Sequence, residues 1–181
     1  MNKGIFKSDV KVFQPSSFED YRGELWTTWK GDEWKYPHID FNHDKVSTSR
    51  KNVIRGLHGD NKSWKLATCL YGEMYYVVVD NRKDSPTYLM WDWTILSQKN
   101  KKMVLVPPNF VNGFCVLSEH SVLMYKWSYD GNYPDVDSQF TIKWDDPKIG
   151  IDWPIDNPIL SKSSLLYTSD AADDLVGGVV G

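Results

Sequence analysis

The 181-residue chain is poor in the residues from which the simplest sites are built. It has two cysteines, Cys69 and Cys115, too few for a disulfide scaffold. Each sits in an apolar run, so both read as small buried hydrophobes in a reducing compartment. Histidine is scarce too: His38, His43, His58 and His120 are the full set. No His-x-His pair occurs, so the converging histidines of a metal site have no template, and a metal is not expected. An excess of positive charge is also lacking. The 21 basic and 24 acidic residues leave −3, which gives nucleic acid no electrostatic footing. No stretch approaches the ~20 apolar residues of a membrane span. The opening MNKGIFKSDVKVF has no apolar signal core. The expectation is a cytoplasmic protein with neither nucleic acid nor membrane as partner.

Aromatic residues, by contrast, are plentiful at 14%, with nine Trp and ten Tyr. They suit β-strands and stacking surfaces. Leu66–Asp80 is two β-rich runs divided by Gly72 and Glu73, which predicts a strand, a tight turn and a second strand. Met103–Val106 and Phe114–Leu117 flank a turn at Pro107, Pro108 and Asn109. Ser121–Ser128 and Gln139–Trp144 alternate in the manner of half-buried strands. The only hint of a helix lies around Asp156–Ser163. Many short strands at regular spacing predict an all-β fold, an antiparallel sandwich or barrel with the jelly roll as one candidate. One domain is expected over residues 1–163, with short peripheral helices.

From Ser164 the chain reads SLLYTSDAADDLVGGVVG, unrelated to the pattern before it. It is similar to translated sequencing-adapter DNA, so residues 164–181 are expected to form an artefactual tail that packs against nothing. A natural disordered tail is the alternative.

His58 is the most informative single residue. It closes Arg55-Gly56-Leu57-His58, just before the strand-rich core that opens at Lys65 and Leu66. Neighbouring cations would keep its ring neutral near pH 7, as a general base requires. On local grounds a structural histidine fits as well. Trp26, Trp29, Trp34 and Tyr36 could stack a nucleobase or could simply pack.

Longer motifs narrow the choice. Phe18-x-Asp20-x-Arg22-Gly23, Arg55-Gly56-Leu57-His58, Lys65-Leu66 and Gly72-Glu73 occur in order. Val79 through Thr87, Asn112-Gly113-Phe114, Tyr125-Lys126 and Trp144-Asp145-Asp146-Pro147 follow, then Ile149 through Pro154 and Leu160-Ser161. This series resembles the dTDP-4-dehydrorhamnose 3,5-epimerase family over roughly Phe13–Lys162. The resemblance implies a cupin-like jelly roll that works without metal or nicotinamide on a nucleotide-linked 4-keto-6-deoxy sugar, in surface polysaccharide biosynthesis. It implies inversion at C3, C5 or both, and a homodimer that exchanges N-terminal strands. Carried over residue by residue, it makes His58 the base, Tyr125 the acid on the opposite face and Lys65 the cation at the enolate oxygen. Arg22 and Arg55 become substrate or diphosphate contacts, and Asn112 and Gln139 take substrate-binding positions.

The chain departs from the family pattern at several points. Gly59-Asp60 follows His58 in place of Tyr-Gln, and Thr27 replaces a Glu. His43-Asp44-Lys45 stands for Gln-Asp-Asn, Asn112 for a second pocket histidine and Gln139 for a Glu. Together these look more like the subgroup acting on GDP-linked 4-keto-6-deoxy heptoses. Ser164 occupies the place of an Asp that orients the catalytic histidine. A sugar-nucleotide 3,4-ketoisomerase and a non-catalytic sugar-binding cupin are the alternatives. A cavity flanked by both His58 and Tyr125 discriminates against the last.

Overall fold

The computed structural model describes residues 5–7, 9–30, 34, 36, 38–129 and 139–161. Two five-stranded antiparallel sheets face each other. The first has the order β1-β9-β6-β11-β4, formed by Lys11–Phe13, Met103–Val106, Trp64–Tyr71, His120–Ser128 and His43–Arg50. The second has the order β12-β5-β10-β7-β8, formed by Phe140–Thr141, Ile54–Gly59, Phe110–Val116, Glu73–Asp80 and Trp91–Ser97. A separate hairpin, β2 (Ser17–Asp20) with β3 (Gly23–Trp26), belongs to neither sheet. The fold is an all-β, cupin-like jelly roll.

The apolar pattern explains the two layers. Ala67, Leu123 and Val104 of the first sheet meet Met74, Tyr76, Phe110 and Phe114 of the second in one buried cluster between the sheets. Strands β7 and β10 are buried on both faces, apart from the exposed Glu73. Their second face, with Tyr75, Val77 and Val111, is covered by Ile142, Ile149, Trp153 and Leu160 from the C-terminal segment. That is why EMYYVVVD and FVNGFCV read as near-continuous apolar runs. On the outside of the first sheet, Leu66, Met103 and Leu105 carry Phe13, Trp29, Trp34, Tyr36 and Phe41. The aromatic N-terminal segment therefore packs here, with Phe13 stacked on Trp34 at 4.9 Å, and Trp26 lies by the Lys101 ammonium.

The strand, tight turn and second strand expected over Leu66–Asp80 are present as β6, Gly72 and β7. Because β6 and β7 lie in different sheets, the chain turns a corner at Gly72. Gly72 has φ +80°, and any Cβ would press on the His120 carbonyl, so glycine fits this corner. Pro107–Asn109 likewise carries the chain from β9 to β10 across the sandwich. The expected peripheral helices reduce, among the described residues, to one 3-10 turn at Ile5–Lys7. Residues 156–161 are not helical. Pro158 disfavours helix at the residue before it, and Ile159 instead forms a parallel bridge with Val53. The long alternation of Gln139–Trp144 pairs as a strand only at Phe140–Thr141. Residues 162–181, and with them the tail expected from Ser164, lie outside the described residues.

Candidate active site

A cavity of about 390 Å³ opens between the two sheets. Its walls can be read from strand registers. On the first sheet Tyr125 stands between Ala67 and Lys45, and Trp127 stands between Lys65 and His43. Residues two apart share a face, so Tyr125, Trp127, Lys65 and Lys45 all line the cavity. The second sheet supplies Arg55, His58 and Asn112. Gln139, just before β12, completes the wall.

Arg55 and His58 are three residues apart, and in a regular strand they would point to opposite faces. A bulge prevents that. Asn112 pairs with His58 and Phe114 with Arg55, so two residues of β5 oppose the single Gly113. The bulge needs Gly56, whose φ is +111°, where a Cβ would lie 2.6 Å from the Asn112 carbonyl oxygen. The glycine of the Arg-Gly-Leu-His motif thus lets both Arg55 and His58 line the cavity.

His58 is half-buried, and its Nδ1 shares a hydrogen bond with the Thr141 hydroxyl at 3.1 Å. Burial first, then the Lys65 ammonium, pull its pKa below the ordinary histidine value. Lys65 is 4% exposed and pairs with the equally buried Asp60 at 3.1 Å. Burial lowers the pKa of the lysine, and Asp60 works against that loss of charge. Burial also opposes the charged form of Asp60, but Lys65 and the amides of Lys62 and Ser63 hold its carboxyl below the usual range. The ammonium groups of Lys65 and Lys45 lie over the Trp127 ring, at 4.5 and 4.6 Å from its centroid. Arg55 is anchored by Nε donating to the Ser49 hydroxyl at 2.9 Å. Asn112 Nδ2 donates to the Tyr125 hydroxyl at 3.0 Å. Burial pushes the Tyr125 phenol up to about 12.

The structure therefore gathers six of the seven expected site residues around one cavity and leaves Arg22 out. Arg22 sits at the exposed turn between β2 and β3, ion-paired with Asp20. That hairpin pairs as a strand with neither sheet, and Arg22 is not among the residues that line the cavity of its own chain. Sequence reasoning missed Thr141 as the neighbour of His58. The signal was present, because Thr141 follows Gln139 by two residues in the alternating QFTIKW run. It also saw Asp60 only as a departure, when it is the buried counter-ion of Lys65. Among the described residues, no three His, Cys, Asp or Glu side chains gather closely enough to hold a metal. No described helix is long and apolar enough to cross a membrane.

Comparison with known proteins bears on what such a cavity does. The family model for dTDP-4-dehydrorhamnose 3,5-epimerase matches residues 7–168. The enzyme of that name from Salmonella typhimurium is 37% identical over 174 residues, covering 93% of this chain and 91% of the relative. Among solved structures, the dTDP-4-dehydrorhamnose 3,5-epimerase of Bacillus anthracis with TDP and PPi bound superposes with a TM-score of 0.83 at 34% identity, covering 92% of this chain and 97% of that one. The Legionella pneumophila dTDP-6-deoxy-D-glucose-3,5-epimerase, in complex with dTDP-4-keto-L-rhamnose, gives 0.84 at 31% identity, covering 95% and 94%.

Proposed function

The chain belongs to the dTDP-4-dehydrorhamnose 3,5-epimerase family, and from that premise we propose that its cavity inverts carbons beside the C4 ketone of a dTDP-linked 4-keto-6-deoxy sugar. It is a carbohydrate epimerase, an isomerase. The observation that carries the mechanism is the placing of His58 and Tyr125 on opposite sheets, on the wall of one cavity. His58 removes the proton alpha to the ketone. The electron pair moves onto the ketone oxygen, where Lys65 stabilises the developing enolate. Tyr125 then delivers a proton to the same carbon from the other side, and the centre is inverted. Asp60, paired with Lys65, opposes the loss of charge that burial imposes on the lysine. Arg55, Asn112 and Gln139 hold the substrate. The buried, unpaired Asn112 Oδ1 is suited to a sugar hydroxyl.

Proton NMR in deuterium oxide tests the reading. With a dTDP-linked 4-keto-6-deoxy sugar, deuterium should enter at C3, C5 or both, and the product should have inverted coupling constants. A GDP-linked 4-keto-6-deoxy heptose run in parallel decides the nucleotide. The dTDP names of the matched relatives support the first substrate, and the departures at Lys45, Asn112 and Gln139 are the reason to run the second. No exchange with either would overturn the proposal.

The proposal extends to a homodimer. The β2–β3 hairpin exposes Phe18 (65%), Tyr21 (97%) and Leu25 (73%), an apolar surface suited to a second copy. Exchange of N-terminal strands, as the family resemblance implies, would bring Arg22 to the partner's cavity. Sedimentation at micromolar concentration should give a dimer, and Leu25→Glu should give a monomer. Arg22→Ala should raise KM about tenfold, a loss of ~1.4 kcal/mol in substrate binding. Mixing and refolding Arg22→Ala with an inactive His58→Ala chain should restore one normal site per heterodimer. A monomeric parent, or no recovery on mixing, would sink this part. A cytoplasmic location belongs to the same reading, supported by the buried, unpaired Cys69 and Cys115.

The depressed pKa of His58 has a visible result. Its ring should titrate below the ordinary histidine value in an NMR pH titration, so the base form persists at mildly acid pH. The acid limb of kcat/KM should fall below that value too. In Lys65→Met, removal of the neighbouring cation should move the ring's titration upward. A ring that titrates at its ordinary value in the parent would contradict the burial argument.

A further inference from the structure

The Tyr125 hydroxyl is approached from the opposite sheet by two side chains. Asn112, on β10, already donates to it. The second is Tyr76, on β7, which is fully buried in the cluster between the sheets. Tyr125 packs against that same cluster, so the two phenols are neighbours whose charges are coupled, yet the Tyr76 hydroxyl has no hydrogen-bond partner. A buried hydroxyl without a full partner needs a reason, since a phenylalanine would fill the same volume without the desolvated oxygen. We propose that Tyr76 is a positioning residue for the proton transfer, its hydroxyl and the Asn112 amide forming a two-donor pocket for the phenolate that Tyr125 becomes. The inference rests on the reading of Tyr125 as the acid.

The chemistry balances without an added reactant. The Tyr125 O–H bond breaks, its proton goes to the carbanionic carbon, and the electron pair stays on the phenol oxygen. That oxygen carries a full negative charge in a buried place, where two neutral donors stabilise it most. Solvent returns a proton to Tyr125 after product leaves, and His58 gives one up. The Asn112 hydrogen bond and the neighbouring Tyr76 hydroxyl both favour the ionised form of Tyr125, against the dominant effect of burial. Tyr76 is itself held well above the ordinary phenol range, chiefly by burial, so it stays protonated and acts only as a donor. Arg55 adds a favourable charge from further away.

The test reads the contact directly and needs no substrate. Tyr125 is replaced by 3,5-difluorotyrosine, whose phenol ionises where the fold survives, and phenolate absorbance is followed against pH. In Tyr76→Phe the transition should move upward by about one unit, a tenfold change in ionisation. An unmoved transition in a variant that melts like the parent would overturn the proposal. Tyr76→Met, read by the same titration, serves if Tyr76→Phe does not fold. With substrate, Tyr76→Phe should lower kcat for inversion about tenfold at unchanged KM, with deuterium exchange from the His58 side retained. A role in packing alone would lower exchange and inversion together and leave the titration in place. Failure of Tyr125 as the acid shows separately, as parental inversion by Tyr125→Phe.

Discussion

His58→Ala is expected to abolish both deuterium exchange and inversion, while Tyr125→Phe separates the two. His58 is the base in the proposed mechanism, and no second histidine lines the cavity among the described residues. Asn112, which stands across the bulge from it, carries no exchangeable basic nitrogen. Loss of the base should cost about 10³-fold or more in both readouts. Tyr125→Phe leaves that first step in place. The enolate forms, picks up deuterium from the His58 side and returns to starting configuration, while net inversion falls by roughly 10²–10⁴. Proton NMR in deuterium oxide reports both quantities in one tube. Parental inversion by Tyr125→Phe would show that the second proton comes from elsewhere.

The second large effect belongs to Asp60. It is 2% exposed, accepts the Lys62 and Ser63 amides at 2.9 and 2.6 Å, and faces the Lys65 ammonium at 3.1 Å. Asp60→Ala leaves that ammonium buried with no compensating carboxylate, a change that costs about 3–5 kcal/mol in comparable pairs. In a domain of this size the melting temperature should drop by roughly 10 °C. Activity should fall further than stability, since a lysine that sheds its proton cannot hold an enolate. Asp60→Ala with Lys65→Met removes both charges. The double variant should regain most of the lost stability and none of the activity, which separates folding from chemistry. If Asp60→Ala melts like the parent, the pair contributes nothing and Lys65 keeps its charge by other means.

Much of this was legible in the sequence because it depends on short-range regularities. Alternation in Ser121–Ser128 puts Leu123, Tyr125 and Trp127 on one face, and the structure has them there. The apolar continuity of Tyr75–Val79 announced a strand, which the structure buries on both sides. The Arg-Gly-Leu-His motif singled out His58, and the structure places it on the cavity wall. Local rules of this kind follow from the two-residue period of a strand and from the glycine and proline chemistry of turns.

Other features were decided at longer range. Whether Gly72 closes a hairpin or turns a corner depends on which strands β6 and β7 find as partners, and those partners, β9, β11, β10 and β8, lie up to tens of residues further along the chain. That choice puts Lys65 and Tyr125 on one sheet and His58 and Asn112 on the other. The bulge opposite Gly113 is equally invisible in a single strand, since it exists only as a mismatch between two. Arg22 shows the limit in the other direction: its motif is intact, yet the hairpin that bears it leaves the cavity of its own chain. Strand patterning by itself determined an all-β fold, and the motif series pointed to the epimerase family and to His58, Lys65 and Tyr125 as the residues to look for. Only the tertiary structure decided that His58 and Tyr125 stand on opposite walls of one cavity, because strand pairing between distant segments sets which faces meet.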